Sequence, residues 1–226
     1  MTNEFIMAML GIGVWAGFLM VLLQWMVLSD KYKKYRIRTP ENVTIPLGRK
    51  VVNVGLNMIW SLLIIFAFFY FFTSNLVDFK SRAGGLTIFG ETLAVLMLYD
   101  FMYYFMHRTF HHPKLMKFVH GIHHRARFPT AFESIFLHPV ETFGGLGLVF
   151  LSTFILGPIS PVSMWLVIFI HTTANILVHA NMILPGRIFI LSNFWAQKHD
   201  YHHGKHLNKN YASIFPFWDL MFGTYH

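Results

Sequence analysis

Five apolar stretches divide the chain. The first, 5–28, is interrupted only by Gln24 and is long enough to cross about 30 Å of hydrocarbon. A second covers about 51–77 and a third about 86–106, with a short polar loop, 78–85, between them. Two shorter stretches, 143–157 and 162–179, are joined by Gly157-Pro-Ile-Ser-Pro161, which reads as a tight turn. The pattern predicts an all-α integral membrane protein with four to five transmembrane helices. The count depends on whether the last hairpin crosses fully or is shielded by protein. No basic region precedes the first stretch and no small-residue cleavage site follows it, so it reads as a span rather than a signal peptide.

Charge orients these spans. Alternating them places 29–50, 107–142 and 180–226 on one side, with 16 of the 18 Lys and Arg residues. The other side holds Lys80 and Arg82. The positive-inside rule makes the first side cytoplasmic. The expectation is one membrane domain over 1–226, capped on the cytoplasmic side by 107–142 and 180–226. With 55% hydrophobic and 12% charged residues, the composition agrees. The net charge of +8 then belongs to membrane-flanking segments, and nucleic acid is not an expected partner. There is no cysteine, which excludes disulfides, iron–sulfur clusters and thiolate ligands. Gly11, Gly13 and Gly17 lie inside the first span with no preceding strand, so they predict close helix packing rather than a dinucleotide loop. With no nicotinamide or flavin site visible, electrons for any redox chemistry must come from another protein.

The chemistry lies in the histidines. Nine of the fourteen fall in three boxes: HRTFHH, with His107, His111 and His112; HGIHH, with His120, His123 and His124; and HDYHH, with His199, His202 and His203. Residues three and four apart share a helix face, so each box presents adjacent imidazoles. Eight neutral nitrogen ligands exceed what one iron or zinc needs and suit two ions held close together. The third span is expected to run unbroken into the first box, with Pro113 ending it. A short helix over 114–124 is expected to carry the second box, and a helix from Ser192 to a stop at Gly204 the third.

Further candidates surround the boxes. His179, at the end of the fifth stretch, is the expected ninth ligand. His138, followed by Glu141, suits either ligation or support of a ligand. Asp100 is an ionisable residue inside an apolar span, seven residues before His107 and on its face. It is expected to accept the second N–H of a ligand histidine. His171 does not share a face with His179 and is expected to line a cavity or meet a neighbouring helix. His206 and His226 read as surface residues. A membrane metal transporter is the alternative class, but it would hold its ligands near the bilayer midplane.

At HRTFHHPKLMKFVHGIHH, FPTAFESIFLHPVE and HDYHHGKHLNKNYASIFPFWDLMFGT the chain resembles the fatty acid hydroxylase/sterol desaturase superfamily, in the manner of sterol 5-desaturases and sterol 4-methyl oxidases. VHANMILP is similar to the lone histidine that this superfamily carries between its second and third boxes. The resemblance implies a non-haem di-iron centre, with zinc replacing iron after overexpression. It implies O₂ as cosubstrate and attack on an unactivated C–H bond of a sterol-like or fatty acyl lipid. It also implies electrons from a separate carrier such as cytochrome b5 or ferredoxin with its reductase. The sterol-type first box, H-x-x-x-H, selects His107 and His111; the hydroxylase-type H-x-x-x-x-H selects His112. Asn175 stands where hydroxylase-type members have a further histidine. Hydroxylation and desaturation remain open, as do the bacterial inner membrane and the endoplasmic reticulum. The lack of a C-terminal dilysine signal points to the former.

Overall fold

A computed structural model describes residues 2–39, 45–204 and 206–226. Five helices are long and apolar enough to cross a membrane: α1 (Asn3–Leu28), α2 (Leu47–Leu76), α3 (Gly85–Phe110), α5 (Pro139–Leu156) and α6 (Pro161–Val178). Short helices α4 (Pro113–Phe118), α7 (Ile190–His203) and α8 (Phe217–Met221) lie at one end. No strand is present among the described residues, only isolated bridges at Arg36–Met182 and Val77–Ile159. The upper of the two expected span counts therefore holds. At about 27 Å each, α5 and α6 reach the length of a span.

α3 is the central helix, packed on α5 and α6, with α2 against α5 and α1 against α6. Val95, Tyr99, Phe150, Met164 and Val167 fill the space between them and are almost fully buried. Outward residues such as Val14 and Leu86 are apolar and open, as a lipid-facing surface requires. The expected packing role of the α1 glycines does not hold. A Cβ placed on Gly11, Gly13 or Gly17 would meet nothing within 4 Å. α1 leans on α6 through side chains instead, with Trp15 donating to Thr173 and Trp165 donating to the Ala8 carbonyl.

The two ends of the bundle differ. At one, Ile159 is bridged to Val77, and Glu91 accepts from the Ser160 amide and the Ser163 hydroxyl. At the other, the segment after α1 is stitched to the segment after α6. Ile37 donates to the Asn181 carbonyl, and Arg38 exchanges two hydrogen bonds with the Asn181 side chain. Arg38 also pairs with Asp200 at 2.7 Å. Single cysteines at the exposed positions Lys34 and Lys80, in a chain with none of its own, are expected to react with an impermeant maleimide from opposite faces of the membrane. Labelling from one face would overturn this arrangement.

Two local expectations need correction. The helix expected over 114–124 breaks at Val119 (φ −119°, ψ −78°), and a 3₁₀ turn, His120–Arg125, follows. The break at Val119 separates this turn from α4, so the turn alone carries the three histidines. Ser192 does not start the third-box helix. α7 begins at Ile190 after a 3₁₀ turn, and the Ser192 hydroxyl bonds back to the Phe189 carbonyl. Gly204 does end it, its N–H returning to Asp200 and Tyr201.

Candidate metal centre

The last turn of α3 carries His107 and His111, one helical turn apart. His111 ends the helix and Pro113 starts α4 in a new direction. The 3₁₀ turn after α4 adds His120, His123 and His124, the end of α6 adds His179, and the last turn of α7 adds His199, His202 and His203. These nine imidazoles fall into two groups. One holds His107, His111, His120, His124 and His202, the other His123, His179, His199 and His203. Within each group the ligand nitrogens lie within 4.8 Å of one another. The groups adjoin, with the His124 and His203 rings stacked 4.5 Å apart.

In six of the nine rings, hydrogen bonds decide which nitrogen is bare. His107 Nδ1 donates to the Tyr211 carbonyl (2.7 Å), His179 Nδ1 to Asn175 (2.8 Å) and His202 Nδ1 to Lys209 (2.6 Å). His203 Nδ1 donates to Ala126 (3.1 Å) and His123 Nδ1 to Phe136 (3.3 Å). His120 Nδ1 meets the Glu141 carboxylate at 2.8 Å. Carbonyls and carboxylates only accept, so each of these Nδ1 atoms holds the proton and each Nε2 carries a bare lone pair. Yet His107 and His120 bring their Nε2 atoms to 3.1 Å, His123 and His179 to 3.2 Å, and His123 and His203 to 3.0 Å. Lone pairs facing at such distances repel unless a cation lies between them. The residues therefore fit a metal pair, and an all-imidazole donor set suits iron or zinc.

Burial keeps these rings in the ligating form. It lowers the His111, His120 and His123 pKa values to about 3 and pushes His124, His199, His202 and His203 well below the ordinary value.

The remaining candidates stand elsewhere. His112 is exposed at the start of α4 and belongs to neither group. His138 also lies outside them and caps α5, its Nδ1 accepting from the Val140 amide. His206 and His226 are exposed and stack on Tyr201. Asp100 does not reach a histidine. Its carboxylate is filled by the backbone N–H groups of Ser213, Ile214 and Phe215, each at 2.8 Å. Asp219 likewise accepts from the amides of Tyr211 and Ala212. These two buried carboxylates fix the strap 211–215, and the strap supplies the carbonyl that orients His107. Asp100 thus acts on His107 only through the chain. The carboxylate that touches a box histidine is Glu141, which the sequence marked only as a neighbour of His138. It is an ionisable residue in the first turn of an apolar span, the same signal that singled out Asp100.

A cavity of about 790 Å³ opens beside the groups, with His107, His123, His179 and His199 in its wall. It continues among α1, α2, α3, α5 and α6, past Phe5, Met9, Leu62 and Phe66. Gly13 and Gly17 face this space, which explains why they pack on nothing. Leu10, Val14 and Leu62 in its wall are also open to the outside, so the cavity is continuous with the lipid-facing surface between α1 and α2.

Comparison with known proteins agrees with this geometry. The model of the family described as fatty acid hydroxylase matches residues 92–224. Methylsterol monooxygenase 1 of Rattus norvegicus is 32% identical over 134 residues, covering 58% of this chain and 45% of the relative. Methylsterol monooxygenase 2-2 of Arabidopsis thaliana is 29% identical over 214 residues, covering 84% and 74%. Sphinganine C4-monooxygenase 1 of Arabidopsis thaliana is 31% identical over 158 residues, covering 66% and 58%. The chain spans about half the length of the methylsterol monooxygenase 1 relatives, 45% of the rat protein and 53% of that of Gallus gallus. No solved structure matches the chain.

Proposed function

Because the chain belongs to the fatty acid hydroxylase family, we propose that it is an O₂-dependent membrane oxidoreductase that hydroxylates or desaturates an unactivated C–H bond of a lipid. The observation that carries this reading is the pair of adjoining imidazole groups at the head of an apolar cavity. His107, His111, His120, His124 and His202 hold one iron, and His123, His179, His199 and His203 the other; zinc fits the same ligands in overexpressed protein. Bound there, the metals and O₂ supply an oxidant that side chains lack.

The chain's own residues do the rest. Backbone carbonyls and Glu141 fix the rings so that their Nε2 atoms converge, and this support contributes typically 10–100-fold to metal affinity or activity. The cavity takes an apolar molecule from the bilayer and excludes water from the reacting carbon. A sterol-like or fatty acyl substrate fits, as the names of the similar monooxygenases suggest. The location of the histidines at one end of the bundle favours this reading over metal transport, which would hold its ligands near the midplane. The histidine end faces the cytoplasm, in a bacterial inner membrane or the endoplasmic reticulum. Its exposed Lys31, Lys33 and Lys34 suit an acidic electron carrier such as cytochrome b5 or ferredoxin.

Mass spectrometry of lipids from cells with and without the protein tests the proposal. A species gaining one oxygen marks hydroxylation; one losing two hydrogens marks desaturation. Purified protein is expected to turn over only when the carrier and its reductase are added. An unchanged lipid profile, or full turnover with NAD(P)H and O₂ alone, would overturn it.

A further inference from the structure

Part-way down the cavity the apolar wall is interrupted. Tyr99 on α3 and His171 on α6 face each other, with Tyr99 Oη 3.1 Å from His171 Nε2 and the rings edge-on at 4.8 Å. Ser213, on the strap that Asp100 holds, brings its hydroxyl near the Tyr99 phenol. All three residues line the cavity, beside Phe5, Met9, Ile12 and Ile168. The metal ligands do not involve them.

Counting protons shows what they leave over. The serine hydroxyl, the phenol and the neutral imidazole each bring one donor, three in all. The Tyr99–His171 contact uses one, and a contact between serine and phenol uses at most one more. One donor remains in every arrangement of tautomer and hydroxyl rotor, and among the described residues no further side-chain hydrogen bond takes it up. A donor left unmatched among apolar residues inside a membrane domain is costly, and polar groups so placed usually serve a ligand.

The position fixes the ligand's shape. Tyr99 precedes His107, and His171 precedes His179, by eight residues, a rise of about 12 Å along a helix. We infer that Ser213, Tyr99 and His171 form a polar subsite that donates a hydrogen bond to a hydroxyl or keto oxygen of the lipid, carried about 12 Å from the carbon that is oxidised. The inference rests on the lipid-oxygenase reading and adds to it a demand on the substrate: an oxygen remote from the reacting carbon.

Cholestanol and its parent hydrocarbon cholestane make a matched pair of probes. The purified full chain in detergent is incubated with each, and retained lipid is measured by mass spectrometry. The wild-type chain is expected to retain the alcohol about tenfold more than the hydrocarbon, the effect of one hydrogen bond. The variant Tyr99→Phe/His171→Leu/Ser213→Ala, which leaves no donor, is expected to hold cholestane as before and lose the preference, which also verifies that it folds. His203→Ala, which alters the metal groups and not the subsite, is expected to keep it. A preference that survives in this variant overturns the proposal. So does equal retention of the two probes by the wild-type chain, which decides the matter even if a variant fails to fold and leaves the oxygenase reading intact. Retention of neither probe overturns the subsite and leaves the oxygenase reading, which also admits a fatty acyl substrate, intact.

Discussion

Alanine at any one of His107, His111, His120, His123, His124, His179, His199, His202 or His203 is expected to abolish lipid oxidation and to lower bound metal below two ions per chain. His203 illustrates why. It is 2% exposed, its Nδ1 is tied to the Ala126 carbonyl, and its Nε2 lies 3.0 Å from those of both His123 and His199. Its loss leaves one ion under-coordinated. Because changes to groups that merely support a ligand typically cost about 10–100-fold, loss of the ligand itself should exceed that range. His112→Ala and His206→Ala, both at exposed positions outside the two groups, are expected to keep metal and activity. Metal analysis and product yield on the same preparations check this. If His112→Ala strips the metal while His111→Ala does not, the first box follows the longer spacing. If alanine is tolerated across all three boxes, the di-metal reading fails.

Gly121→Ala is expected to be nearly as damaging, although the residue carries no chemistry. A Cβ there would press into the Met116 backbone carbonyl oxygen, closer than real Cβ contacts come. Backbone on both sides must move, and the displaced segment carries His120, His123 and His124. Overpacking of this kind costs about 1–3 kcal/mol in ordinary sites. Here the shift also misdirects three imidazoles belonging to both metal groups, so bound metal should fall at least about tenfold. Gly11→Ala, with open space around it, is the matched control and should behave as wild type. Equal metal content in the two variants would show that the second box does not depend on this close approach.

Much of the site was legible because its parts are local. Imidazoles at i and i+4 announce a shared face in any sequence, and a proline just after the first box predicts where α3 stops. The spans were legible for the same reason, since twenty apolar residues in a row have few other fates. What stayed hidden is set by contacts between distant segments. Glu141 reaches His120 across 21 positions, and the Tyr211 carbonyl reaches His107 across 104. Neither acceptor carries a signature of its own; a backbone carbonyl belongs to every residue. Asp100 gave the right signal, a carboxylate in an apolar span, but its oxygens were taken by backbone amides of the strap. The proline after the first box favoured His111 over His112, and the helix end places His111 among the clustered imidazoles and leaves His112 exposed. The α1 glycines were misread because small residues signal close packing only when a second helix fills the space they leave.

The converging lone pairs have a consequence for the cell. Four separate stretches of chain aim bare nitrogens at two points, and only a cation makes that convergence favourable. A ligand that binds the folded form alone stabilises it in proportion to the logarithm of its concentration. When the metal is scarce the cap should therefore loosen while the apolar spans stay embedded, exposing it to membrane-bound proteases. Steady-state abundance would then follow the metal supply even under a constitutive promoter, coupling the lifetime of the protein to nutrition without any dedicated sensor.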